Sequence, residues 1–122
     1  ILFSAYGNLK DNLSYKEEEH FAQDDSSIYG KIISVNEKDN SFKIFSKGHR
    51  NILGLYVGQG YILSTENGPR GGDEINRIYE NKNYGWDIAS YGKKYRSDEA
   101  YKNHKSLGFE EPIFSFIPSI GI

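Results

Sequence analysis

Apolar residues in this chain come in short runs, and Gly, Asn, Asp or Pro closes each run. Such punctuation suits strands joined by turns and calls for no long helix. Residues 1–6 (ILFSAY) read as a buried strand, and 28–35 (IYGKIISV) as another. Residues 36–40 (NEKDN) form a turn rich in Asn and Asp, and 41–46 (SFKIFS) then alternate with period two. These two runs predict a hairpin. Two further runs, 52–57 and 61–65, flank the tight-turn sequence Gly58-Gln59-Gly60. Residues 73–79 follow Gly71-Gly72 and predict a short strand; 84–88 predict one more, and 112–122 begin another. Residues 7–27 predict a long acidic loop with one helical turn near 15–21, and 91–107 a basic loop. The pattern is all-β and fits a sandwich, a barrel or a propeller.

Composition narrows the function classes. Ten Tyr, seven Phe and thirteen Gly agree with a β-rich chain. With 122 residues the chain can bury one modest core. Fifteen basic residues against seventeen acidic ones give a net charge of −2, so no general affinity for nucleic acid or anionic membrane is expected. There is no Cys, hence no disulfide and no thiolate metal site. No apolar run approaches the ~20 residues of a membrane span. The chain opens on Ile rather than Met and stops within an apolar run, so we expect a piece of a longer protein.

The chemistry concentrates between His49 and Trp86. Residues 66–76 (ENGPRGGDEIN) hold three glycines and a proline, which makes a constrained turn. The carbonyls of Gly68 and Pro69 are free to point outward, and Asp73 and Glu74 add carboxylates. Outward oxygens of this kind suit a hard cation such as Ca²⁺. A Gly-rich hairpin loop with solvated charges fits the same residues. Upstream, Gly48-His49-Arg50-Asn51 (GHRN) precedes a strand. Arg50 offers a planar fork for carboxylates, and Asn51 both a donor and an acceptor. An exposed loop leading into the strand is the simpler reading of GHRN alone. Downstream, Asn83-Tyr84-Gly85-Trp86 (NYGW) carries the single Trp, a residue type more often a core anchor than a catalytic wall.

In this order and spacing, GHRN, ENGPRGGDEIN and NYGW closely resemble the signature of the glucose/sorbosone dehydrogenase family that uses pyrroloquinoline quinone (PQQ). The flanks agree: Ala22-Gln23-Asp24 with Gly30-Lys31-Ile32 upstream, and Glu111-Pro112 with Pro118-Ser119-Ile120 downstream. The resemblance implies antiparallel four-stranded blades of a six-bladed β-propeller. About two blades are then present: residues 1–48 end one blade, 49–92 form a full blade with the cofactor loop, and 93–122 give a loop and the first strand of the next. It further implies oxidation of the C1 hydroxyl of an aldose to a lactone, with PQQ and Ca²⁺ as cofactors and an external electron acceptor. By the same resemblance Arg50, Asn51 and Asn67 contact PQQ, the carbonyls of Gly68 and Pro69 ligate Ca²⁺, and Asp73 helps orient a catalytic His. That His, and the Lys and Arg that grip PQQ, come from other blades, so this segment alone is expected to be inactive. The missing blades, or self-association, would cover its open faces. Family habit places such proteins in the periplasm or outside the cell. Four positions depart from the pattern: Ile52, Asn67, Asp87 and Gly121. A non-catalytic binding module of the same propeller family, or a stand-alone Ca²⁺-binding β domain, are the competing functions.

Overall fold

The computed structural model describes residues 2–4, 7, 20–95 and 97–122. It contains two antiparallel sheets. The first has the order β1 (Leu2–Ser4), β2 (Lys31–Val35), β3 (Phe42–Lys47). The second has the order β4 (Ile52–Val57), β5 (Ile62–Glu66), β6 (Asp73–Arg77), β7 (Phe114–Phe116). The predicted hairpin is β2–β3. Its turn is built by side chains: Asn36 Oδ1 accepts from the Lys38 amide at 3.0 Å and Asp39 Oδ1 from the Ser41 amide at 2.9 Å. Asn40 takes the left-handed conformation (φ 57°) that Asn tolerates better than most residues. A 3₁₀ turn, Lys105–Leu107, interrupts the long connection between β6 and β7. Among the described residues no helix is long and apolar enough to cross a membrane.

Four expectations need correction. The first strand is short and lies at a sheet edge, with Phe3 53% exposed, so it is not buried. Residues 84–88 are not a strand. The amides of Tyr84 and Trp86 instead donate to the carbonyls of Lys47 and Gly48, at 2.9 Å each, which turns this segment against the end of β3. Only 114–116 of the last run are a strand, and they pair with β6 in the register Asp73↔Phe116. β7 is therefore the fourth strand of the second sheet, and that sheet runs past residue 92 instead of ending there. The helical turn expected near 15–21 falls largely outside the described residues.

The two sheets are joined by their shared core. Ile32 of β2 meets Ile78 and Tyr84, all nearly fully buried. Leu2 and Phe45 pack on this cluster from the first sheet, and Ile52, Leu55 and Ile62 from the second. Lys31, fully buried at the start of β2, fastens the loop before it. Its Nζ donates to the carbonyls of Phe21, Ala22 and Tyr29 at 2.8, 3.1 and 2.9 Å. Burial pushes this lysine down to about 8. Gln23 on the same loop hydrogen-bonds the side chain of Asn83 and the Trp86 carbonyl, which brings the loop to the NYGW segment.

Candidate functional site

The loop between β5 and β6 needs glycine at two places. A Cβ on Gly68 would lie 2.3 Å from the carbonyl oxygens of both Gly71 and Gly72. Gly72 has φ 74°, and a Cβ there would lie 2.4 Å from the Gly92 amide nitrogen. The loop thus folds its own backbone into close contact, as the spacing of its glycines suggested.

Asp73 anchors this loop. Its Oδ1 accepts from the Gly68 amide at 3.0 Å and the Ser119 hydroxyl at 2.7 Å. Its Oδ2 accepts from the amides of Ile120 and Gly121 at 2.9 and 2.7 Å. Burial pushes the carboxyl up, but these donors outweigh it and hold Asp73 below the usual carboxylate range. A carboxylate has about four lone-pair sites. All four are taken by donors of this chain, so the Asp73 carboxylate joins the Gly68 loop to the turn at 119–121 and has little left to offer another group.

Arg50 and Asn51 face the same loop. The Asn67 amide donates to the Asn51 carbonyl at 3.0 Å, and Arg50 Nη1 donates back to the Asn67 carbonyl at 2.9 Å. The guanidinium lies over Trp86, 5.2 Å from the ring centroid, and 6.0 Å from that of Tyr95. Arg50 Nη2 donates to the Tyr95 hydroxyl at 3.3 Å, and that hydroxyl donates to the Pro69 carbonyl at 3.4 Å. Arg50, Asn51, Asn67, Gly68 and Pro69 are therefore assembled in one place. Tyr95 joins them from the basic loop, where the sequence marked nothing. Trp86 is both core and site wall: it is buried, its Nε1 donates to the Gly7 carbonyl at 3.2 Å, and it carries the Arg50 guanidinium.

Beneath the loops lies a buried polar layer. Glu66 Oε1 accepts from His49 Nδ1 at 2.7 Å, Asn76 Nδ2 at 3.1 Å and the Ser64 hydroxyl at 3.3 Å. Its Oε2 accepts from the Arg50 amide at 3.1 Å. His49 Nε2 meets the Ser46 hydroxyl at 2.8 Å, and its ring stacks on Tyr84 with centroids 4.6 Å apart. Burial pushes Glu66 up, yet His49 and the amide donors outweigh this and hold it below the usual range. Glu74 differs. Burial and the nearby Glu66 carboxylate push it up to about 8, so it keeps its proton at neutral pH. It shares Asn76 Nδ2 with Glu66 and lies 3.9 Å from His104 Nε2. A small cavity is lined by both this layer and the loop above it, with Glu66, Glu74 and His104 on one side and Asn67, Gly68 and Gly72 on the other.

Reading Asp73 and Glu74 as a pair of cation-binding carboxylates does not survive this geometry. They are neighbours on β6, and successive side chains of a strand point to opposite faces. One is taken up by four amide and hydroxyl donors and the other is buried and protonated. Among the described residues no group of three or more His, Cys, Asp or Glu side chains is placed to hold a metal ion. The oxygens that suit a cation here are backbone carbonyls.

The whole chain, residues 1–122, matches the family model for glucose / sorbosone dehydrogenase. It is 33% identical to the aldose sugar dehydrogenase YliI of Escherichia coli, over 93% of this chain and 35% of that protein. A crystal structure of a glucose dehydrogenase superposes with a TM-score of 0.73 at 30% identity, covering 86% of this chain and 35% of the other. The PQQ-bound form of an aldose sugar dehydrogenase from Streptomyces coelicolor gives a TM-score of 0.59 at 27% identity, over 81% of this chain and 29% of that one. The chain thus spans about a third of the length of these relatives. Its two antiparallel sheets are about two blades of the β-propeller expected from the sequence. The chain belongs to the glucose/sorbosone dehydrogenase family.

Proposed function

We propose that the full-length protein carrying this segment is a PQQ- and Ca²⁺-dependent dehydrogenase that oxidises the C1 hydroxyl of an aldose to a lactone, with an external electron acceptor. The observation that carries this is the joining of Arg50, Asn51, Asn67, Gly68 and Pro69 into one hydrogen-bonded patch. The donor set fits the two groups. A guanidinium held by an aromatic face suits the carboxylates of PQQ, and backbone carbonyls suit Ca²⁺. In this reading Arg50, Asn51 and Asn67 contact PQQ, and the carbonyls of Gly68 and Pro69 hold the cation. When bound, PQQ supplies the two-electron acceptor and Ca²⁺ the polarising charge.

The described residues of the patch orient and enclose, and none of the three histidines is placed to take the substrate proton. His49 is sealed between Glu66 and Ser46, His104 is buried, and His20 is paired with Asp87 at 2.7 Å. A base from another blade fills that role. Asp73 acts on the active site through the loop and the 119–121 turn that it joins. A periplasmic or secreted location and partnership with the remaining blades belong to the same reading. The test is dye reduction by the purified full-length protein with a panel of aldoses. Activity that requires both PQQ and Ca²⁺ and is absent from residues 1–122 alone supports it; activity without PQQ contradicts it.

A further inference from the structure

Glu66 is 4% exposed and lies where the two sheets meet. It ends β5 of the second sheet, and its first partner, His49, follows β3 of the first. An ionised carboxylate only accepts hydrogen bonds, so His49 carries its proton on Nδ1. The other oxygen takes the Arg50 amide. Directly above, the Asn67 amide donates to Asn51 and Arg50 Nη1 donates to Asn67. Three bonds therefore lock residues 50–51 to residues 66–67, and the lowest of them is on the Glu66 carboxylate.

We propose that Glu66, held by His49, is a positioning residue: it sets Arg50 and Asn51 against Asn67 and Gly68 so that both loops meet one planar, anionic cofactor. The proposal rests on the PQQ reading above for the identity of that cofactor. It does not rest on that reading for the coupling of the loops. Without the carboxylate, the Arg50 amide, His49 Nδ1 and Asn76 Nδ2 lose their shared buried acceptor. The β4–β5 ladder and the Asn67–Asn51 bond still hold the strands together, but the Arg50 end of the joint is loosened. A Gln at this position can preserve the joint. Its oxygen accepts from the Arg50 amide, its NH₂ donates to His49 once that ring shifts its proton to Nε2, facing Ser46, and the Asn76 amide turns to present its otherwise unpartnered Oδ1 to that NH₂. Shape, more than charge, thus carries the role.

The test uses the full-length protein and its variants Glu66→Ala, Glu66→Gln and Glu66→Asp. Calorimetric titration with PQQ in Ca²⁺ reads the affinity, and amide hydrogen exchange of the apo-protein reads the loops. E66A is expected to weaken PQQ binding by ~10-fold or more, the scale typical of residues that orient ligand-binding groups. It is also expected to speed exchange at the Arg50 and Asn67 amides, while E66Q stays close to the parent in both. If E66A does not fold, E66D decides: it withdraws the carboxylate by one methylene, and is expected to weaken PQQ binding and loosen the same amides. A folded E66A, or failing that a folded E66D, with parental affinity and parental exchange overturns the proposal. If the parent itself binds no PQQ, the cofactor reading fails. The positioning claim is then judged on exchange alone: unchanged Arg50 and Asn67 amides in E66A, or in E66D, overturn it.

Discussion

Replacing Asp73 by Asn separates a structural anchor from a base-orienting carboxylate. The variant is nearly isosteric but exchanges one acceptor oxygen for a donor NH₂. Facing Ile120 and Gly121, that NH₂ would leave two amides without an acceptor. Facing Gly68 and Ser119, it leaves only the Gly68 amide, because the Ser119 hydroxyl can rotate to accept. The second orientation is therefore favoured. One part-buried amide left unpaired costs at most ~1–3 kcal/mol, and the remaining bonds lose their charge assistance. The expected loss of stability is about 2–4 kcal/mol, read from urea denaturation of the full-length protein. The direction of the damage is more specific than its size. Amide exchange should rise at Gly68, on the cofactor loop, and much less at Ile120 and Gly121. The pH profile of kcat should keep its shape, since no base is touched. Exchange that rises only at 120–121, or a displaced kcat profile with Gly68 still protected, would refute the reasoning.

Two further changes have clear signs. Glu74 moves from an unfolded value of 4.5 up to about 8 in the fold, so its contribution to stability is complete below pH 4.5 and is lost as pH rises through about 8. Glu74→Gln abolishes this term. At ~1.4 kcal/mol per unit, the parent should lose on the order of 4 kcal/mol relative to E74Q across that range, read as diverging urea midpoints at about pH 5 and about pH 9. Parallel midpoints would contradict the buried, protonated assignment. Ile78→Ala empties part of the core between the two sheets, where Ile78 is 4% exposed, and should cost ~2–5 kcal/mol by the same assay. A loss below about 1 kcal/mol would mean that the sheets do not share this core.

Much of the fold was legible because each strand carries its own stop signals. Asn36 to Asn40 and Gly58 to Gly60 mark their turns by residue type alone, and both hairpins formed there. The errors arose where tertiary contacts decide. Tyr84 and Trp86 look like alternating strand residues, yet their amides find acceptors on Lys47 and Gly48, so the segment turns inward. The strand at 114–116 returns to pair with β6 across a long connection, a choice that no local pattern records. The same division holds in the site. Arg50, Asn51, Asn67, Gly68 and Pro69 belong to contiguous motifs and were found together. Glu66 lies inside the same motif but carries no local mark of its role, because its partner His49 is 17 residues away and meets it only when the two sheets pack. Tyr95 had one available signal, an aromatic residue inside a polar, basic loop. The pairing of Asp73 with Glu74 misled because adjacent carboxylates look like a cluster until a strand places them on opposite faces.

The central claim is that Arg50, with the Gly68 and Pro69 carbonyls, forms a PQQ and Ca²⁺ site. Its most direct measurement is a calorimetric titration of the full-length protein with PQQ, with Ca²⁺ present and with Ca²⁺ chelated, in the parent and in Arg50→Lys. Lysine keeps the charge and loses the planar fork. The expected result is saturable binding in Ca²⁺, weakened ~10-fold or more by chelation and again by R50K. Binding indifferent to both changes, or no binding by the parent, would contradict the assignment.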